Sequence, residues 1–244
     1  MRKLFFFLIL LSSSIYSAER ILIVVTNHSQ LGNTGVKTGY YLSEVSHPYN
    51  NFTNNGFKVD FASPNGGFAP MDPKSRDLQD PLNKKFLSNK EAINSLKNTI
   101  SLSNINPKLY KAIIFAGGHG AMWDFPNSKA LNRVTADIYE AGGVVAAVCH
   151  GPAALVNVKL SNGKSLVTGK KVTGFSNEEE SVVKLTKVMP FLLETKLKER
   201  GAIFFNNKPF EEKVVVDSRL VTGQNPASAS KLSKEVIKII KNAN

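Results

Sequence analysis

Val144-Val145-Ala146-Ala147-Val148-Cys149-His150-Gly151-Pro152-Ala153 is the stretch that decides the fold. Its first five residues are small or β-branched and do not alternate, the look of a strand buried on both faces. The run stops at Cys149, and Gly151-Pro152 suits the first turn of a helix, where proline is tolerated. A strand that turns directly into a helix implies a parallel sheet covered by helices. In open α/β sheets ligands bind outside the carboxyl ends of the strands, which is where this turn lifts Cys149. The helix start offers N–H groups and a positive dipole end, and both are expected to lower a cysteine pKa toward the thiolate. A lone cysteine is ordinarily a buried small hydrophobe. Its place at the end of the strand, rather than within the apolar run, favours a nucleophile.

The same alternation continues on either side. Ile21-Leu22-Ile23-Val24-Val25 and Ala112-Ile113-Ile114-Phe115-Ala116 read as buried strands, and Phe57 to Phe61 alternates as another. Val36 to His47 has helical period, with Pro48 as a stop or kink. Ala130 to Ala141 is a helix ended by Gly142-Gly143. Residues 64–106 carry Pro64, Pro70, Pro73 and Pro81, break the alternation, and read as an insertion that forms a small lid or cap. Val158 to Gly174 reads as a hairpin around Asn162-Gly163 that returns to the sheet. Val182 to Arg200 reads as a helix interrupted at Pro190. Ala202–Phe205, Val214–Val216 and Leu220–Thr222 are short strands, and Ser228 to Asn242 is a basic amphipathic helix. One α/β domain with a mostly parallel central sheet and helices on both faces accounts for residues 19–244.

Composition narrows the function. The 244 residues include 42% hydrophobic and 20% charged residues, a globular balance. A single cysteine excludes an internal disulfide framework and a cysteine-cluster zinc site. Arg2-Lys3, the apolar run Leu4 to Leu11, and the small residues up to Ala18 read as a secretory signal peptide over residues 1–18. That run is far short of the ~20 apolar residues of a membrane span. The expected location is therefore periplasmic or secreted, with no membrane partner after cleavage. The net charge of +12 comes from scattered lysines, without an arginine-rich run or an aromatic-interleaved basic strip, so no nucleic-acid partner is expected.

A second strand also ends in unusual residues, Gly117-Gly118-His119-Gly120. The N–H of His150, following the nucleophile, and that of Gly118 are natural oxyanion donors. His119 is either a pocket residue or a turn histidine. Glu44 shares a helical stripe with Tyr40 and Tyr41. It lies at the edge of the apolar face or is buried, and burial would raise its pKa.

Taken together, Ala146 to Ala153 and Ala116-Gly117-Gly118-His119-Gly120 resemble the ThiJ/PfpI superfamily, in its glyoxalase III and heat-shock chaperone branch. Lys37-Thr38-Gly39, Glu44, His47-Pro48, Asp124-Phe125-Pro126, Gly174-Phe175, Leu220 to Gly223 and Asn225 to Ser228 match as well. The resemblance implies a flavodoxin-like sandwich, often dimeric, with Cys149 as nucleophile and His150 as the triad histidine. Its acidic member is implied a few residues after Gly174-Phe175, and Glu180 fits best beside Glu178 and Glu179. Glu44 matches the carboxylate beside the nucleophile. The implied reaction is glutathione-independent conversion of methylglyoxal, a small reactive aldehyde, to lactate, with no metal or organic cofactor. His28, His47, His119 and His150 form no close pair at ligand spacing in the sequence. A holding chaperone, a protein deglycase and a PfpI-like cysteine peptidase are the alternatives. Glutaminase chemistry on the related amidotransferase fold needs a late His-x-Glu pair, and no histidine follows His150.

Overall fold

A computed structural model describes residues 18–243; the leader assigned to the N-terminus lies almost wholly outside the described residues. Strands β1 (Arg20–Val24), β2 (Lys58–Ser63), β3 (Ile100–Ser101), β4 (Tyr110–Phe115), β5 (Val144–Val148), β8 (Val214–Asp217) and β9 (Leu220–Gly223) form one seven-stranded sheet, in the order β3-β2-β1-β4-β5-β9-β8. All neighbours are parallel except β8 and β9. The short strands β6 (Lys171–Val172) and β7 (Ile203–Phe204) pair separately.

The unbroken apolar runs follow from burial on both sides. Leu22, Val24, Ile113, Phe115, Val145 and Ala147 face one core, beneath α4 (Ala121–Asp124), α5 (Lys129–Glu140) and α7 (Leu193–Glu199). Ile21, Ile23, Ala112, Ile114, Ala146 and Val148 face the other, beneath α1 (Leu42–Asn54) and α8 (Ala229–Ala243). Successive strand residues point to opposite faces, so each face receives every second residue. This is the flavodoxin-like arrangement of a mostly parallel sheet between helical layers.

Several local expectations are corrected. The helix expected over Val36–His47 begins only at Leu42, and Pro48 lies inside it. Residues before Leu42 are engaged elsewhere. Tyr40 N–H donates to Pro70 O at 2.9 Å, and Asp72 N–H donates to Tyr40 O at 2.9 Å. A Cβ on Gly39 would meet Pro70 O at 2.0 Å, so this close approach requires glycine. The segment after Cys149 is a 3-10 turn over Gly151–Leu155, not an α-helix. The hairpin around Asn162-Gly163 is reduced to one antiparallel bridge, Lys159 with Ser165, and its return strand β6 joins β7 rather than the central sheet. The helix expected over Val182–Arg200 is present only as α7, after α6 (Asn177–Val182) and an irregular stretch through Pro190. Residues 64–106 supply the edge strand β3 and the helices α2 (Pro81–Ser88) and α3 (Lys90–Lys97), with α2 packed on α1.

Candidate functional site

The site lies where the carboxyl ends of β4 and β5 meet the start of α1. Cys149 has φ of 59°, in the left-handed region that a residue with a Cβ seldom adopts. Two backbone bonds hold it there. Cys149 N–H donates to Gly223 O at 2.9 Å, and Phe175 N–H donates to Cys149 O at 2.8 Å. The sulfur therefore projects out of the strand line, 3.3 Å from His150 Nδ1. Gly118, at φ of 91°, turns its N–H toward the same sulfur. A Cβ on Gly118 would meet Gly39 O at 2.2 Å, so the two loops touch through glycine.

Glu44 forms the floor. It is fully buried, and its Oε2 accepts from Gly117 N–H at 2.6 Å. Oε1 has no nitrogen or oxygen partner, and its polar neighbour is the Cys149 thiol. Burial pushes the Glu44 carboxyl up to about 8, against the pull of the Gly117 N–H and the thiol. The same burial, together with the Glu44 carboxyl, pushes the Cys149 thiol well above its ordinary value. This overturns the expectation of a lowered thiol pKa. The turn after Cys149 provides no α-helical dipole, and an acidic neighbour in a dry site opposes a second negative charge.

Glu180 forms the wall. Its Oε2 lies 2.8 Å from His150 Nε2, and its Oε1 lies 3.2 Å from His119 Nε2. Burial alone would raise it, but the hydrogen bonds of His119 and His150 outweigh burial and hold it down at about 2. Burial pushes His150 down, and His119 adds to the shift. The two imidazole centroids are 4.2 Å apart, and Phe175 packs 4.4 Å from the ring of His150.

The three consecutive glutamates separate by environment. Glu178 is exposed. Glu179 is buried and completes a capping box with Ser176, while its Oε1 accepts from Phe210 N–H and Asn225 Nδ2. Only Glu180 faces the histidines. The structure thus gathers Cys149, His150, Glu44, Glu180, Gly118 and His119 around one point.

A cavity of about 250 Å³ opens above the sulfur. Tyr41, Lys37, Lys74, Phe175 and Phe210 contribute to its walls. Lys74 and Phe210 carried no sequence signal, because each arrives from a loop placed only by tertiary contacts. Tyr41, to which the sequence assigned no role, is a wall residue. The sequence spacing also concealed the approach of His119 to His150. Ligand atoms of His119, His150 and Glu180 lie within 4.8 Å of one another, the one such group of metal-ligating side chains among the described residues. Each oxygen of Glu180 is already matched to an imidazole nitrogen, so the carboxylate has its partners in the two histidines. His47 pairs instead with Asp80 at 2.6 Å, and His28 stacks on Trp123.

Known proteins share this arrangement of chain. "Glyoxalase 3" of Candida albicans is 33% identical over 89% of this chain and 97% of its own length. "Glutathione-independent glyoxalase HSP31" of Saccharomyces cerevisiae is 32% identical over 92% and 99%. Among solved structures, Francisella tularensis Rapid Encystment Protein 24 KDa superposes with a TM-score of 0.88 at 44% identity, covering 91% of this chain and 99% of that one. Glyoxalase III of Candida albicans superposes with a TM-score of 0.84 at 31% identity, covering 91% and 97%. Residues 36–239, from the loop ahead of Glu44 into the last helix, match the DJ-1/PfpI family, and the chain belongs to it.

Proposed function

We propose that this protein is a glutathione-independent glyoxalase that converts methylglyoxal to lactate through a hemithioacetal on Cys149. One observation carries the reading: a single sulfur stands at the base of a cavity between a buried carboxyl, a backbone N–H and an imidazole nitrogen. The names of the two curated relatives, similar over nearly their whole length, support it.

The Cys149 sulfur bonds to the aldehyde carbon as its proton passes to His150 Nδ1. The depressed pKa of His150 keeps that nitrogen free to accept, and Glu180 fixes the other proton on Nε2. The aldehyde oxygen gains charge within reach of the N–H groups of Gly118 and His150, then takes the proton from His150. Glu44 removes the hydrogen on C1 and returns it to C2. A carboxyl with its pKa near 8 is a stronger base than an ordinary one and exchanges protons close to neutrality. The proton on the first oxygen passes to the second, leaving a lactoyl thioester. C1 is oxidised as C2 is reduced, so the rearrangement needs no outside redox partner. Water cleaves the thioester and restores the thiol.

The test is lactate formation from methylglyoxal without glutathione. Lactate production that disappears in Cys149→Ala is the expected result. A wild type that forms none, or a variant equal to it, overturns the reading.

The protein is exported behind residues 1–18, supported by the basic, apolar and small-residue pattern there, and it acts as a homodimer, supported by the family resemblance. An uncleaved N-terminus removes the first statement, and a monomeric mass by light scattering removes the second.

A further inference from the structure

The rearrangement requires one transfer that the steps above assign to no residue. As the enediolate becomes the thioester, a proton must leave the oxygen on C1 and reach the oxygen on C2. His150 serves the C1 end, because its Nδ1 faces the Cys149 sulfur that carries C1 and its Nε2 is held by Glu180. Glu44 is buried beneath the sulfur and serves the carbon-bound hydrogen. His119 differs from both. Its ring lines the cavity, with 19% of its side chain exposed. Its Nε2 lies 3.2 Å from Glu180 Oε1, and a carboxylate is an acceptor, so Nε2 carries the proton. That leaves Nδ1 as an open lone pair, with no hydrogen-bond partner among the described residues. Phe175 packs edge-on at 5.9 Å and His150 lies at 4.2 Å, so the ring is held in place.

We infer that His119 is a further catalytic residue, whose Nδ1 takes the proton from the C1 hydroxyl of the enediolate and delivers it to the anionic C2 oxygen. The inference rests on the glyoxalase reading. In a cis-enediol the two oxygens are neighbours, so one nitrogen serves both without the ring moving far. The step balances: one O–H bond breaks, one forms, and His119 ends as it began. Glu180 supports the imidazolium that exists in between. The shared carboxylate thus has two duties, steering His150 toward the sulfur and His119 toward the substrate oxygens.

His119→Gln tests this, because its amide still donates to Glu180 but takes up no proton. The expected loss in kcat is about 10²–10⁴-fold, the usual worth of a positioned acid–base group. KM should move less than about threefold, since ground-state binding is untouched. Alkylation of Cys149 by iodoacetamide should proceed at the wild-type rate, which reports that the fold and the sulfur's surroundings are intact. Imidazole added to His119→Ala should restore part of the lost turnover. A His119→Gln enzyme within about threefold of the wild-type kcat overturns the inference. So does a fall in alkylation rate equal to the fall in kcat, which marks a structural role. A wild type without turnover removes the glyoxalase reading and this one together; an active wild type with an unimpaired His119→Gln removes only this one.

Discussion

The floor and the wall of the site are each built on one buried glutamate, and the two are driven in opposite directions. Glu44 is pushed up to about 8, whereas Glu180 is held down at about 2. Burial acts on both with the same sign. What differs is the partner set: one backbone N–H and a thiol for Glu44, two imidazoles for Glu180. A dry site does not by itself choose a protonation state; the donors facing the carboxyl choose it. The division also separates labour, because a carboxyl near 8 exchanges protons and one near 2 remains a fixed charge.

The most severe test removes what both regions act upon, and Cys149→Ala should bring lactate formation to the uncatalysed background. Glu180→Gln should follow. An amide turns a donor toward one of its imidazoles and enforces the wrong tautomer, with an expected fall in kcat of about 10⁴-fold. Glu44→Gln keeps an acceptor for Gly117 but loses the base, for about 10³-fold. Should the order of these two reverse in steady-state assays, the wall does not depend on charge as described. Stability sharpens the contrast without reference to turnover. The raised pKa of Glu44 favours the folded state most below its ordinary 4.5, and that contribution is lost as pH rises toward about 8. Glu180 has the opposite sign: its contribution is present above 4.5 and lost as pH falls toward about 2. Unfolding free energies from urea titrations over about pH 5 to 8 should therefore decline less steeply for Glu44→Gln than for the wild type, by an amount of order a few kcal/mol. The smallest effect belongs to exposed Glu178, where Glu178→Gln should change kcat less than about twofold.

Much of this was legible in the chain because it rests on local pattern. The runs at 21–25, 112–116 and 144–148 are strands buried on both faces, and nothing else explains their lack of alternation. Cys149 was legible for the same reason, as the abrupt end of such a run. The limits of α1 were not, because Tyr40 is held by Pro70 and Asp72, some thirty residues away. The destination of β6 was hidden likewise, since its partner β7 lies beyond α7. Glu178, Glu179 and Glu180 are alike in sequence and differ only in what faces them. The thiol holds its proton more firmly than the strand-to-helix pattern implies, because no α-helix starts after Cys149 and because the site is dry and the Glu44 carboxyl, which the family resemblance places beside the nucleophile, opposes a second charge. His119 and His150 are separated in the chain by α5 and β5, and only the pairing of β4 with β5 brings their rings together.

The left-handed backbone at Cys149 has a consequence for anyone who improves this protein by selecting for robustness alone. Glycine occupies that conformation freely, so Cys149→Gly relieves a tension that the native chain retains. A heat-challenge screen blind to turnover would therefore reward a replacement that ends the chemistry. Thermostable variants of this chain should be sought only where activity is scored in the same round.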